Sequence, residues 1–559
     1  MACYEPVPWK EQFTLDYNLE CTFWGAGSSN HLDFIHPVMA STTNPGAVAT
    51  ARLRAQNPGT WNHNNSQSWP GIVGHTKPDA ACIPDCPNLT TTGYRGAEWP
   101  AAAMPLGDGR LANSDLQSRF SGGLLATNLI QYWEYSRNLT TLREKIYPFV
   151  KDTAEFYLSY AVKGRDGKLV FPYSCAQEGC MCRDAGFIKE DLKAPLPNAT
   201  LQCKHPQAPF AERCPRAGGW ELHHWCVGCM PNIATGSADG YHNSHPDVAF
   251  AASSFRNAIR FATILGVDSA MAAAWQKGLD MMPAYPSTDL TFVAGARGAE
   301  FNGGAGYFVE AEYGHHEGVN PENSSDITPV VWPWCNTEYA VSTFAAMWPT
   351  DEIGIPQAAD DDAALLARAK QTVYALTKYQ GITKKGGGVP FSPRNGFGLS
   401  WPPAVRLSGR GDAEELVAAF ALAIVADTAN NGCGLNGGGM LENIGATVAI
   451  NDLLFQSQGG RMRFFPVWNA TALGAASFTT LRAYGAFLVS GTIDASGTIA
   501  PVSLESEVGG DAVFESPWAG PAAPKVTGAS ATVPVTAVSH GVYSFASKAG
   551  GKYTISSGN

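Results

Sequence analysis

Hydrophobic residues recur at steps of three and four through most of the chain, and that spacing puts them on one face of a helix. Leu116 to Ser136 reads as a helix with Phe120, Leu124, Leu125 and Trp133 on its buried side. After a turn at Asn138, Leu142, Ile146, Val150, Thr153 and Tyr157 repeat the pattern, so the two segments form a helical hairpin. Asp247 to Leu265 is a third helix, with Val248, Phe255, Ile259 and Ala262 inward and Gly266 ending it. A fourth, around Met271 to Met282, stops at Pro283. Further helices are expected from Thr337 to Trp348, Asp360 to Tyr379 and Glu414 to Ala426. The last carries Asp412, Glu414 and Glu415 at its N-terminal end, where the helix dipole favours negative charge. A short helix follows the glycine-rich stretch from Gly432 to Gly439, with Ile450, Leu453 and Leu454 on one face.

From about Arg461 the period changes to two. FFPVW, AYGAFLVSG and APVSLESEV read as strands separated by turns such as Asp494 to Gly497. The expected organisation is a mostly helical domain over residues 1–460 and an all-β domain over 461–559. Between Tyr173 and Asn232 the helical pattern gives way to Pro, Gly and Cys, which reads as a surface excursion at about 173–232.

Composition narrows the picture. The chain has 559 residues, and 45% hydrophobic content is ample for a large core. A net charge of −11 argues against a nucleic-acid partner. No apolar run of 18 residues is present, so no membrane partner is expected. Of 13 cysteines, those from Cys82 to Cys229 cluster, and Asn-x-Ser/Thr triplets occur at Asn64, Asn88, Asn138, Asn198, Asn323 and Asn469. Together they point to a secretory, disulfide-forming and glycosylating compartment. Cys226-Val-Gly-Cys229, with His223 and His224 ahead of it, offers zinc as the competing use. One such pair is a weak metal signal, so disulfides are preferred and no metal or cofactor is assigned. Residues 1–12 show no apolar run of the kind a signal peptide carries.

Two stretches carry candidate chemistry. Around Gly432 to Ser457, glycines permit close backbone approach and lead to Glu442-Asn443 just before a helix. That describes a carboxylate and an amide held at a pocket mouth; the plainer reading is a helix cap. The other stretch is FTLDYNLECTFWG, Phe13 to Gly25, with Asp16, Asn18 and Trp24. Trp61 and Trp69 lie in a Trp- and Asn-rich loop suited to stacking on a sugar ring, or to bearing a glycan at Asn64. His242, Asn243, His245 and Asp247 add donors and acceptors around one turn.

These stretches resemble the catalytic region of glycoside hydrolase family 95, inverting α-L-fucosidases and α-L-galactosidases. In that family an aspartate-glycine-asparagine turn is followed by a glycine, a helix ending in LLQS, a strand leading to a proline, and a GLRARGGF-like strand. The counterparts here are Glu442 to Gly445, Leu453 to Ser457, Phe464 to Trp468 and Leu481 to Val489. The likeness is closer to a divergent branch with a GGG-(I/M)-E-N turn. A gapless alignment puts Leu441 at the family's base, and one gap puts Glu442 there. Phe13 to Gly25 is similar to the family's MNVNLQMNYW stretch, which sets Asn18 on the asparagine that helps hold the attacking water and Asp16 on a second one.

The resemblance implies an (α/α)6 toroid, hydrolysis of a terminal α-L-fucose or α-L-galactose from an oligosaccharide or polysaccharide, and a β-sandwich ahead of the barrel, so the chain is expected to be a catalytic-region fragment. It implies Glu442 as base, with Asn18 and Asn443. For the acid, the family's Ser-Pro-Glu has its nearest equivalent in Ser-Ala-Asp239; Asp247 is the rival, though also a natural first-turn helix residue. Inverting hydrolysis requires such carboxyls on opposite sides of the scissile bond. Two alternatives stand beside this: a non-catalytic carbohydrate-binding glycoprotein on the same scaffold, and another toroid reaction, such as phosphorolysis or a lyase using Tyr241 and His242.

Overall fold

A computed structural model describes residues 13–15, 17–56, 94–99, 102–103, 119–164, 166–171, 239–288, 292–294, 299–301, 306–308, 312–315, 328–329, 344–354, 363–383, 397–427, 445, 447–520, 522–529 and 531–558. The helices used below are α1 (Asn18–Ser28), α2 (Pro45–Gln56), α3 (Ser121–Ser136), α4 (Tyr147–Tyr160), α5 (His245–Leu265), α6 (Ser269–Asp280), α7 (Ala363–Thr383), α8 (Phe397–Leu407), α9 (Ala413–Asp427) and α10 (Thr447–Leu454).

The hairpin read from periodicity is present. Phe120, Leu124, Leu125 and Trp133 are buried, as are Leu142, Ile146, Val150, Thr153 and Tyr157 on the returning arm. Arg137 makes the turn in the left-handed region and Asn138 caps the next turn by accepting Thr141 N–H at 3.0 Å. Gly266, at φ 67°, ends α5.

Side-chain contacts fix the helix directions. Asn128 of α3 reaches the Glu20 carbonyl, and the Tyr135 ring lies against Gly27, so α1 and α3 run the same way. Phe250 against Gly123, and Phe261 against Trp133, give α5 the same direction as α3. Thr447 abuts Gly25, and Asn451 donates to Ser28 and Ser29 hydroxyls at 2.9 Å, so α10 is parallel to α1. Four neighbouring helices thus point one way, and α4 and α6 return on the outside of α3 and α5. Their shared core extends from Leu15 to Val467.

Strands after α10 build a separate core around Phe455, Phe464, Phe487, Val489, Phe514 and Ile555. One sheet orders Phe455–Gln456, Arg461–Phe464, Gly510–Glu515, Val542–Ser547 and Thr536–Ser539; the other orders Ala476–Ala483, Phe487–Ile493, Val502–Ser506, Gly551–Ser556, Lys525–Thr527 and Thr532–Val533. The sheet domain sits at the C-terminal ends of the parallel helices. Arg482 donates to the Tyr135 carbonyl at 3.1 Å and to Asn30 Oδ1 at 2.9 Å while paired with Glu507. Gly485 N–H donates to the Glu134 carbonyl at 2.8 Å. Beside these, Arg406 joins Asp452 at 2.6 Å and Asp351 at 2.5 Å, and its guanidinium stacks 4.2 Å from the Trp348 ring.

Three details differ from the sequence reading. Ile450 is exposed, and the buried face of α10 is Val448, Ala449, Asp452 and Leu453, because Arg406 draws Asp452 inward. AYGAFLVSG is not one strand: Gly485 and Ala486 take φ of 93° and 61° and turn the chain between two antiparallel strands. FFPVW ends its strand at Phe464, where Phe465, at φ 50°, donates its N–H to the Leu454 carbonyl at 2.6 Å. The 173–232 excursion, residues 337–343 of the expected fifth helix, and every cysteine except the buried Cys21 lie outside the described residues.

Candidate functional site

The parallel helices bring their N-terminal ends to one side of the molecule, opposite the sheet domain. Asn18 is the first residue of α1 and is half-buried; its carbonyl accepts Thr22 Oγ1 at 2.9 Å. Trp24 is 1% exposed. Its indole N–H donates to Asn128 Oδ1 at 3.0 Å, and its ring meets Trp348 edge-on at 5.1 Å, so it packs inside the bundle rather than facing solvent.

Asp239 and His242 bound a strand (Asp239–His242) that pairs antiparallel with Glu312–His315, setting Asp239 opposite His315 and His242 opposite Glu312. The next residue, Asn243, is buried at φ 49°. Its side-chain oxygen accepts Phe171 N–H at 2.8 Å and its own N–H donates to the Phe171 carbonyl at 2.9 Å. Asn tolerates the left-handed region better than other non-glycine residues, and here it ties the end of one hairpin to the start of the next.

Ser244 caps α5, accepting Asp247 N–H at 3.2 Å. His245 and Asp247 are both fully buried. Burial pushes the His245 imidazole down to about 3, so it is neutral. Its Nε2 accepts Ala346 N–H at 3.4 Å, which leaves the proton on Nδ1. Tyr285 and Phe308 pack within 5.1 Å and 5.0 Å of the ring. Asp247 lies in the field of Arg119, Tyr157 and Tyr160. Arg119 in turn pairs with buried Glu98, which also holds Arg54 at 3.4 Å. This cluster braces the start of α3 and α5 against α2.

Asp16, Trp61, Trp69, Glu442 and Asn443 lie outside the described residues. Among the described residues no three His, Cys, Asp or Glu side chains gather as a metal site, and no helix is long and apolar enough to cross a membrane.

One residue absent from the sequence-based candidates stands out. Glu20 is fully buried, neither carboxyl oxygen has a hydrogen-bond partner among the described residues, and desolvation raises it to about 8. The signal was present in the spacing: Tyr17, Glu20, Cys21, Trp24 and Ser28 share one helical face, and all are buried.

Comparison with known proteins follows the same direction as the motifs. Residues 109–205 match the model of the glycosyl hydrolase family 95 catalytic domain. The likeness to family 95 is over this segment, the region of the α3–α4 hairpin and the start of the cysteine-rich excursion, rather than the two stretches singled out from the sequence. No curated protein matches. Among solved structures, a protein described as a kojibiose phosphorylase from the human microbiome aligns at 10% identity and TM-score 0.37, over 75% of this chain and 51% of its own. An α-L-rhamnosidase from Streptomyces avermitilis aligns at 11% and 0.32, over 78% and 33%. A family 127 β-L-arabinofuranosidase from Geobacillus stearothermophilus aligns at 11% and 0.22, over 77% and 53%. The chain spans about half or less of the length of each.

Proposed function

We propose that this chain is the catalytic region of an inverting exo-glycosidase, built as an (α/α)6 toroid, that removes a terminal α-L-fucose or α-L-galactose from a glycan. The observation that carries the reading is the shared direction of α1 and α10. Gly25 of α1 meets Thr447, the first residue of α10. Asn18 starts α1 and so stands at the N-terminal end of the bundle, while Glu442-Asn443 precede α10 in the sequence and enter the reading on their motif alone. Asn243, His245 and Asp247 begin α5 at that end too.

In this reading Glu442 takes a proton from a water that Asn18 orients, and the water attacks the anomeric carbon. Asp239, as the acid, gives its proton to the departing oxygen as the glycosidic bond breaks. One proton is gained by the base and one lost by the acid, and solvent restores both after release. The neutral His245 and the tied Asn243 shape the turn that leads from Asp239 into α5.

The test is hydrolysis of a panel of nitrophenyl glycosides that includes the α-L-fucoside and α-L-galactoside. Release from one sugar, reduced by roughly 10³-fold or more in Glu442→Gln, supports the reading. Glycan binding without turnover, unchanged in Glu442→Gln, replaces it with a non-catalytic carbohydrate-binding protein.

A further inference from the structure

The first turn of α1 holds a group that the hydrolysis above does not use. Glu20 has no exposed surface and, among the described residues, no partner for either carboxyl oxygen. Its backbone is firmly held. Asn128 Nδ2 donates to the Glu20 carbonyl at 3.0 Å, and Asn128 Oδ1 accepts Trp24 N–H at 3.0 Å. One amide of α3 therefore pins α1 at two points a turn apart. Asn128 lies seven residues beyond Ser121, the start of α3. At 1.5 Å per residue, α3 extends about 10 Å past the level of Glu20. The start of α1, with Asn18 and Glu20, is thus set back from the start of α3.

Among the described residues, no charge on the elements packed around it compensates an ionised Glu20. α3 offers Glu134, Tyr132 and Tyr135. Tyr132 turns its hydroxyl to His36 at 3.3 Å, Tyr135 lies on Gly27, and Glu134 pairs with Arg137 and Arg260. α10 offers Asp452, held by Arg406. The strand Ala476–Ala483 offers Arg482, bound to Asn30 and Glu507, and the turn at Leu32–Ile35 offers Asp33. The strand Phe13–Thr14 has no titratable residue. On α1 itself, the Tyr17 ring packs tilted against Trp24 at 6.0 Å and the Cys21 thiol points to the Asn18 carbonyl at 3.4 Å. The charged groups gather at the C-terminal end of α1, away from Glu20. A carboxylate there has no cation among the described residues, and the help of its own backbone N–H is outweighed by the cost of burial.

We propose that Glu20 is a positioning residue that keeps the first turn of α1, and Asn18 with it, in place only while it carries its proton, so that its ionisation withdraws Asn18 from the site. The link to turnover rests on the hydrolase reading; the conformational step does not. Desolvation, which raises Glu20 to about 8, puts the switch just above neutrality.

Hydrogen exchange read by mass spectrometry on the whole chain tests this, with labelling times scaled for the intrinsic rate at about pH 6.5 and about pH 9. The expected result is a loss of protection of about tenfold or more in the peptide spanning the start of α1 at the higher pH, and none in Glu20→Gln. If a hydrolysed glycoside is in hand, the wild-type rate falls above about pH 8 and Glu20→Gln keeps its plateau. Equal wild-type protection at both values overturns the proposal whether or not the variant folds, as does an alkaline limb that Glu20→Gln retains. A wild type that cleaves no glycoside counts against the hydrolase reading alone, because the exchange result stands by itself.

Discussion

Two buried side chains, Glu20 and His245, respond to pH in opposite directions. Glu20 goes from 4.5 to about 8 on folding, and His245 from 6.5 to about 3, both by desolvation. Glu20 contributes fully below 4.5 and loses its contribution as pH rises to about 8. His245 contributes fully above 6.5 and loses it as pH falls to about 3. Between 4.5 and 6.5 the two slopes cancel, so this pair adds no net pH dependence there and a loss of stability on either side. One proton corresponds to about 1.4 kcal/mol per pH unit, so the alkaline loss between pH 6.5 and 8 is roughly 2 kcal/mol. Denaturant titrations across pH check this: Glu20→Gln removes the alkaline loss and leaves the acid limb, whereas an unchanged alkaline limb assigns it elsewhere. The sequence contained this much, since Glu20 sits at helical spacing from Tyr17, Cys21 and Trp24. A carboxylate in a first helical turn ordinarily reads as a surface complement to the dipole, and only the packing of α3 against that face decides otherwise.

At the scale of elements, periodicity gave most of the described helices but not α2 or α8, and it was insufficient for their faces and breaks. The inward residues of α3, α4 and α5 follow from steps of three and four alone. Ile450 was misread because Asp452, a charged residue, is the one buried through its pairing with Arg406. The break in AYGAFLVSG depends on Ala486 taking a left-handed conformation that its identity does not announce. Helix spacing yields a sharp prediction. A Cβ at Gly25 would overlap Thr447 Oγ1, so Gly25→Ala is expected to cost about 1–3 kcal/mol by overpacking. Adding Thr447→Ala is expected to restore most of it, giving a coupling energy of about 1 kcal/mol or more in a double-mutant cycle. Additive effects contradict the close parallel contact of α1 and α10. Arg406→Ala, which strands Asp351 and Asp452 in the interior, is expected to cost about 3–5 kcal/mol in the same assay.

Across the whole molecule, the sheet domain is joined to the helical part at the end opposite the proposed site. Arg482 is the main polar tie, through Tyr135, Asn30 and Glu507. Arg482→Ala is expected to lower the calorimetric midpoint and to separate one unfolding transition into two, with little change in the affinity for a sugar ligand. A single unshifted transition contradicts the tie. The switch from period three-and-four to period two made the helical and sheet parts legible from sequence, but not which end of the helices the sheets cover, because Arg482 and Tyr484 meet partners more than a hundred residues away. For the site, the motifs gave Asn18 and the turn before α5. They also gave Glu442, Asn443, Asp16, Trp61 and Trp69, which lie outside the described residues, so their roles rest on the motifs.

The most direct measurement is time-resolved proton NMR of glycans bearing terminal α-L-fucose or α-L-galactose, incubated with the whole chain. The account predicts free monosaccharide that appears first as the β-anomer and then mutarotates, and no such signal with Glu442→Gln. First appearance of the α-anomer, or release that requires added phosphate, contradicts an inverting hydrolase.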